Sequence, residues 1–163
     1  MFEKFGEFGS VKELNLAAAG LKAEGDKESL IALAKENGLD EEDVQDYLDG
    51  CMEELATPFS AAFGRLEVEA RELENEKDAN TKRAKKIILT VTRTLCSDEA
   101  LQNGIMKKGK RVGNILDAMR KEAQNHKTGN MGIACGTDRE LVEIIKAYYI
   151  DGKAAEQIKK LYE

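Results

Sequence analysis

Helix starts and stops punctuate this chain so regularly that little of it is left to build a sheet. Ser10-Val11-Lys12-Glu13 has the form of a capping box, in which the serine oxygen accepts from a free backbone N–H and the glutamate reaches back to the cap. Val11, Leu14, Ala18 and Leu21 then recur at helical spacing, and Gly25 ends the helix. Asp26 caps the next segment, whose apolar face is Leu30, Ile31, Leu33 and Ala34 and whose stop is Asn37-Gly38. Asp40 caps a third, with Val44, Tyr47 and Leu48 on one side and Gly50 at its end. Glu41, Glu42 and Asp43 fill its first turn, where the positive end of the helix dipole favours acids.

Thr57-Pro58 is a further start, a cap followed by proline at the first helical position. The helix it opens is apolar at Phe59, Ala62, Phe63 and Leu66 and charged from Glu67 onward, which predicts a solvated helix end or linker and an internal boundary near residues 75–81. Residues 82–96 carry two periods. Ile87, Ile88, Val91 and Leu95 fit a helix face, while Leu89, Val91 and Leu95 alternating with threonines fit a strand. A lone strand would leave its backbone groups unpaired, so a helix is expected.

Ser97-Asp98-Glu99 opens a helix through Leu101, Ile105 and Met106 that Gly109 closes. Val112, Ile115, Leu116, Met119 and Ala123 make the next one clearly amphipathic. Lys110 and Arg111 stand at its start, where cations oppose the dipole, a mild cost that is either carried for a reason or offset by a nearby acid. Thr137-Asp138-Arg139-Glu140 is a second capping box, followed by Leu141, Val142, Ile144, Ile145 and Tyr148, and a short closing helix turns Ile158 and Leu161 inward. The expected fold is all-α: a compact multi-helix protein with an N-terminal helical region over residues 1–78 and a C-terminal one over 79–163.

Composition agrees. A content of 42% apolar and 34% charged residues suits a folded chain rather than a disordered one, and one proline with no tryptophan suits helices better than a barrel or sandwich. No apolar run approaches the ~18–20 residues that cross a bilayer. The opening MFEKFGEFGS lacks the apolar stretch of a signal peptide, so a cytoplasmic location is expected. Cys51, Cys96 and Cys135 form no CxxC and accompany a single histidine, His126, which predicts free thiols in a reducing compartment and neither a zinc cage nor a Cys–His nucleophile. The glycine-rich residues 126–136 lack the spacing of a phosphate-binding loop and read as a connection. No cofactor, metal or catalytic constellation is expected, and the chain does not read as an enzyme.

Charge is divided unevenly. Residues 1–80 hold 8 Lys/Arg against 21 Asp/Glu, a balance of −13, while residues 81–163 hold 17 against 10, a balance of +7, within a net charge of −6. Such a split predicts two electrostatically distinct surfaces. The acidic candidates for meeting a basic partner are Glu41, Glu42, Asp43, Asp46 and Asp49, with Glu67, Glu69, Glu72 and Glu74 next. The basic candidates for gripping nucleic-acid phosphates are Lys107, Lys108, Lys110 and Arg111, with Lys82, Arg83, Lys85 and Lys86 beside them.

The stretch SDEALQNGIMKKGKRVGNILDAMRKEAQ, a loop, and then TDRELVEIIKAYYID resembles the PcfK-like family of mobile-element proteins, which includes inhibitors of the CRISPR nuclease Cas9. The shared pattern is a lysine-rich approach to an amphipathic helix, then an acid-capped helix ending in Tyr148-Tyr149; residues 126–136 are more glycine-rich than the family pattern. The N-terminal stretch looks like an extension of clostridial proteins of similar organisation. The resemblance implies an anti-CRISPR protein of a phage or mobile element, acting in the bacterial host cytoplasm on Cas9 or its guide-RNA complex. A nucleic-acid-binding accessory protein of a conjugative or phage element is the alternative.

Overall fold

The computed structural model describes residues 2–163. Among these the chain forms nine α-helices and no strand: α1 Val11–Glu24, α2 Lys27–Glu36, α3 Glu41–Asp49, α4 Pro58–Leu73, α5 Ala79–Thr94, α6 Glu99–Met106, α7 Val112–Asn125, α8 Asp138–Lys146 and α9 Ala154–Lys159. The ambiguous stretch around residues 82–96 is helical, and its threonines show how. Thr90 and Thr92 hydroxyls donate to the Lys86 and Ile88 carbonyls one turn back, so each polar side chain is satisfied inside the helix.

The caps work much as the sequence signals require. Ser10 Oγ accepts from Glu13 N at 3.2 Å, while Glu13 reaches past the cap to Gly9 N at 2.8 Å. Thr137 and Glu140 form the full reciprocal box, and Glu140 also accepts from Gly136 N. Thr57 caps α4 as expected and pairs reciprocally with Ser60, while the cap at Asp78, which accepts from Thr81 N, was not foreseen. Asp40, expected to cap α3, makes no side-chain cap bond. Thr137→Ala should cost about 1 kcal/mol by chemical denaturation, since it orphans one donor of α8. A loss below ~0.3 kcal/mol would show that the Glu140 half of the box holds the helix start alone.

The core is continuous across the boundary placed at residue 78. One cluster of buried apolar side chains takes in Leu14, Leu33, Val44 and Leu66 from the acidic half and Leu89, Ile105, Ile115 and Ile144 from the basic half. Helix α4 is the shared element: it packs on α1 from the acidic half and on α5 and α6 from the basic half. Where α4 meets the end of α2 the backbones nearly touch. A Cβ on Gly64 would lie 2.3 Å from the Asn37 carbonyl oxygen, so only glycine fits there. Asn15 of α1 ties in the segment before α4, donating to the Ala56 carbonyl and accepting from its N–H at 2.8 and 3.0 Å.

The charged half of α4 is neither a solvated end nor a linker. Val68 and Glu69 are buried, and Leu73 is half-buried. The helical period explains this. Ala62, Leu66, Glu69 and Leu73 fall on one stripe, so the core face continues through the acidic run.

Helix α8 does not end as an α-helix. Residues Ala147–Asp151 form a single π-helical turn that widens the backbone and swings Tyr149 fully into the interior. Its backbone sits against α6 so closely that a Cβ on Gly104 would lie 2.4 Å from the Tyr149 carbonyl oxygen. The chain then closes with α9, with Ile158 buried and Leu161 half-buried, and the Tyr162 hydroxyl donates to the Ile133 carbonyl.

Candidate partner-binding surfaces and the buried charge cluster

The acidic candidates separate into two groups once each carboxylate's neighbours are known. On α3, Glu41, Glu42, Asp46 and Asp49 are exposed and Asp43 is half-buried; none forms an ion pair among the described residues. Asp49 is partnered only by the Gln45 amide, at 2.9 Å. Asp40, Glu53 and Glu54 are exposed beside them and extend the same acidic stretch, which the sequence reading had left out. Two cations serve α3 without pairing with its acids: Lys27 donates to the Gln45 side-chain carbonyl at 2.9 Å, and the Lys22 ammonium donates to the Tyr47 carbonyl in the last turn and stands 4.2 Å over the Tyr47 ring. Lys22 complements the negative end of the helix, and neither cation pairs with an α3 acid among the described residues.

The α4 acids are largely committed to the fold. Glu67 pairs with Arg93 of α5 at 2.6 Å, and Glu74 pairs with Lys82 at 2.9 Å. Glu69 is only 7% exposed, so it is removed from the candidate docking face. Glu72 is exposed and interacts within the chain.

The basic run divides in the same way. Lys107 and Lys108 are exposed, with Lys108 reaching Glu13 at 3.8 Å. Lys110 lies 4.1 Å over the Tyr148 ring and donates to the Tyr148 carbonyl at 2.7 Å, which holds the π-helical turn. Arg111 pairs with Glu7 at 2.7 Å. Two of the four cations expected to grip phosphates are therefore used inside the molecule. Of the α5 cations, Lys82 and Lys85 pair with Glu74 and Glu76, whereas Arg83 and Lys86 are exposed.

Arg111 belongs to a charge cluster at the centre of the fold. Arg65 of α4 is 1% exposed and donates to Glu7 at 3.1 Å, to the Met106 and Ile105 carbonyls at 2.8 and 3.4 Å, and to the Phe8 carbonyl at 2.6 Å. One guanidinium thus satisfies the end of α6 and fastens the N-terminal strap of the chain over it. Glu7 Oε1 receives both Arg65 and Arg111, and its carboxylate also accepts from Gly109 N. Burial works to raise the Glu7 pKa, but the hydrogen bonds from Arg111 and Gly109 and the two arginine charges outweigh it and hold the group below its ordinary value.

Glu69 is the acid that the start of α7 calls for. Its Oε2 accepts from Val112 N at 2.8 Å, which caps a helix whose own cap residue, Arg111, offers no acceptor. Among the described residues its other oxygen, Oε1, has no hydrogen-bond partner, and neither do Arg65 Nε or the Tyr149 hydroxyl. Burial pushes the Glu69 pKa up to about 7, against the pull of the Val112 N–H, Arg111 and Arg65.

A cavity of about 430 Å³ opens beside this cluster. Glu69, Glu72 and Glu76, on one side, and Lys85 and Arg111 supply its polar lining, with Leu73, Leu89 and Val112 as its apolar surface. Among the described residues no group of acids, cysteines and histidine has the arrangement to hold a metal ion, and no helix is long and apolar enough to cross a membrane. Cys51, Cys96 and Cys135 are free thiols. His126 stacks on Tyr162 with ring centroids 4.4 Å apart.

Comparison with known proteins adds no relative: no protein family, curated protein or solved structure matches the chain.

Proposed function

We propose that this protein works by docking an acidic face, centred on α3, onto a strongly basic partner, and that the partner is a type II Cas9 nuclease whose activity it blocks. The observation that carries the docking reading is the contrast between the two sets of charges. Among the described residues Glu41, Glu42, Asp43 and Asp46 pair with no cation, while Lys110 and Arg111 are spent on Tyr148 and Glu7. An unneutralised acidic surface suits a channel built to hold phosphates, and its long-range attraction speeds encounter. The identity of the partner rests on the resemblance of residues 97–151 to the PcfK-like family. In this reading the protein is a binding protein of a mobile element, with no chemistry of its own.

The test is co-elution of the purified protein with guide-free and guide-loaded Cas9 across a salt series, with nucleic acid alone as a control. Binding and inhibition of cleavage are expected at low salt and should weaken as salt screens the surface. The triple variant Glu41→Lys, Glu42→Lys, Asp46→Lys should bind about tenfold or more weakly, through a slower on-rate, while keeping the helical spectrum. Binding to DNA or RNA alone, with no affinity for Cas9, would overturn the proposal in favour of the accessory-protein alternative through Lys107 and Lys108.

A further inference from the structure

We propose that the outward face of α1 is the contact surface of a homodimer, in which two copies of the chain lay this helix antiparallel on itself. The surface is separate from the α3 face and independent of what α3 docks on.

Helix α1 buries Leu14, Asn15 and Ala18 and leaves Lys12, Leu16, Ala19, Gly20, Ala23 and Glu24 exposed. A lone exposed apolar side chain is ordinary on a protein surface. Leu16, 64% exposed, instead leads an apolar face that continues three, four and seven residues on, the spacing with which one helix packs on another. Gly20 sits in the middle of that face. Glycine inside a helix weakens it relative to alanine, and this fold does not require one, because a Cβ there would meet no neighbouring atom within 4 Å. It leaves a hollow one turn from the Leu16 knob.

Lys12, Leu16, Gly20 and Glu24 form a single ridge of the helix at intervals of four, and this ridge complements itself only when reversed. Two such ridges laid antiparallel, at the crossing of about −50° that is commonest between globular helices, set each Leu16 over Gly20 of the second copy. The same register turns each Lys12 toward Glu24 of the second copy. Among the described residues neither Lys12 nor Glu24 has an ion pair or side-chain hydrogen bond, so both charges are available. A parallel arrangement would set leucine on leucine, cation on cation and acid on acid. The antiparallel one is the isologous contact a two-fold axis requires, in which one position meets another and the second meets the first. The exposed face of α5 around Ile87 offers no such match, since that helix carries cations and no acid.

Long-range charge gives the contact a signature. Each copy holds 8 Lys/Arg against 21 Asp/Glu over residues 1–80, and a dimer through α1 brings two such halves together. The Lys12–Glu24 pairs at the rim fix the direction of the helices, while the apolar contact supplies the affinity. Salt in the physiological range should therefore tighten the dimer by screening the repulsion, whereas it weakens the attraction of α3 for a basic partner. One helix face is a small interface, so the dimer exchanges with monomer.

The experiment is sedimentation equilibrium of the whole chain at low and physiological salt, over roughly 10 µM to 1 mM, the range suited to a weak contact. Reducing buffer keeps the exposed Cys51 from linking copies. A monomer–dimer equilibrium that tightens with salt is expected. Leu16→Glu should weaken it about a hundredfold, because the symmetry removes two leucines at once. Gly20→Leu should weaken it about tenfold or more by filling both hollows, yet raise the unfolding midpoint of the dilute protein by improving the helix. Lys12→Glu combined with Glu24→Lys exchanges the charges across the contact, suits the helix dipole at both ends, and should restore association to the parent level. Lys12→Glu combined with Glu163→Lys has the same net charge but sets acid against acid, and should stay weak. A monomer at every concentration, growth beyond two copies, undiminished association in Leu16→Glu or Gly20→Leu, or equal association of the two charge-balanced variants would each overturn the proposal.

Discussion

Arg65→Ala should lower the unfolding free energy by about 3–5 kcal/mol, seen as a fall in denaturant midpoint with little change in slope. The size follows from what the guanidinium holds. It is 1% exposed, and its removal leaves the Met106 and Phe8 carbonyls without their donor and takes one of two cations from Glu7. Leaving buried polar groups unsatisfied is what makes such a deletion expensive, more than any net worth of the ion pair. Arg65→Lys should recover only part of the loss, because a single ammonium cannot reach carbonyls on two sides and the carboxylate at once. A cycle with Glu7→Gln should show coupling of about 1 kcal/mol or more, since the two share a bond. A loss of under 1 kcal/mol for Arg65→Ala would mean that water reaches Met106 and Phe8 readily and that the strap over residues 5–9 is not fixed by this residue.

This cluster marks the limit of what the sequence makes legible. The helices were readable because their signals are local: Ser10 with Glu13, Thr137 with Glu140, and the stripe from Val112 to Met119 each lie within a few turns of chain. The charge cluster is assembled from Glu7, Arg65, Glu69 and Arg111, with the Glu7–Arg111 bond spanning 104 positions. No spacing rule connects such residues. One part could have been found. Arg65 and Glu69 sit on the stripe defined by Ala62 and Leu66, so the helical period already placed two charges where apolar residues belong. The count of acids from Glu67 onward hid this, because composition averages over a helix and periodicity does not. The opposed dipole at Lys110-Arg111 was a second clue. An offsetting acid was one of two readings it allowed, and α4 supplies one in Glu69.

The same carboxylate should make the protein less stable as pH rises through neutrality. Glu69 titrates at about 7 in the folded protein against an ordinary value of 4.5, so the folded state keeps its proton where the unfolded chain has lost it. Below pH 4.5 both states are protonated and the contribution is fully present; it is lost progressively as pH rises, until above pH 7 the folded protein carries the cost of a buried charge. A shift of this size amounts to about 3 kcal/mol between pH 4.5 and 8, or roughly 6–12 °C in midpoint for a chain of this length. The acids held low by their partners, such as Asp98 beside Lys146 and Glu140 in its cap, act in the opposite sense and at lower pH, where stability falls as they protonate. The curve should therefore peak near pH 5 and decline toward pH 8. Glu69→Gln keeps an acceptor for the Val112 N–H and cannot ionise, so its curve should match the parent near pH 5 and stay flat above it, leaving the variant the more stable protein at pH 8. Parallel curves for the two proteins would place the titration elsewhere.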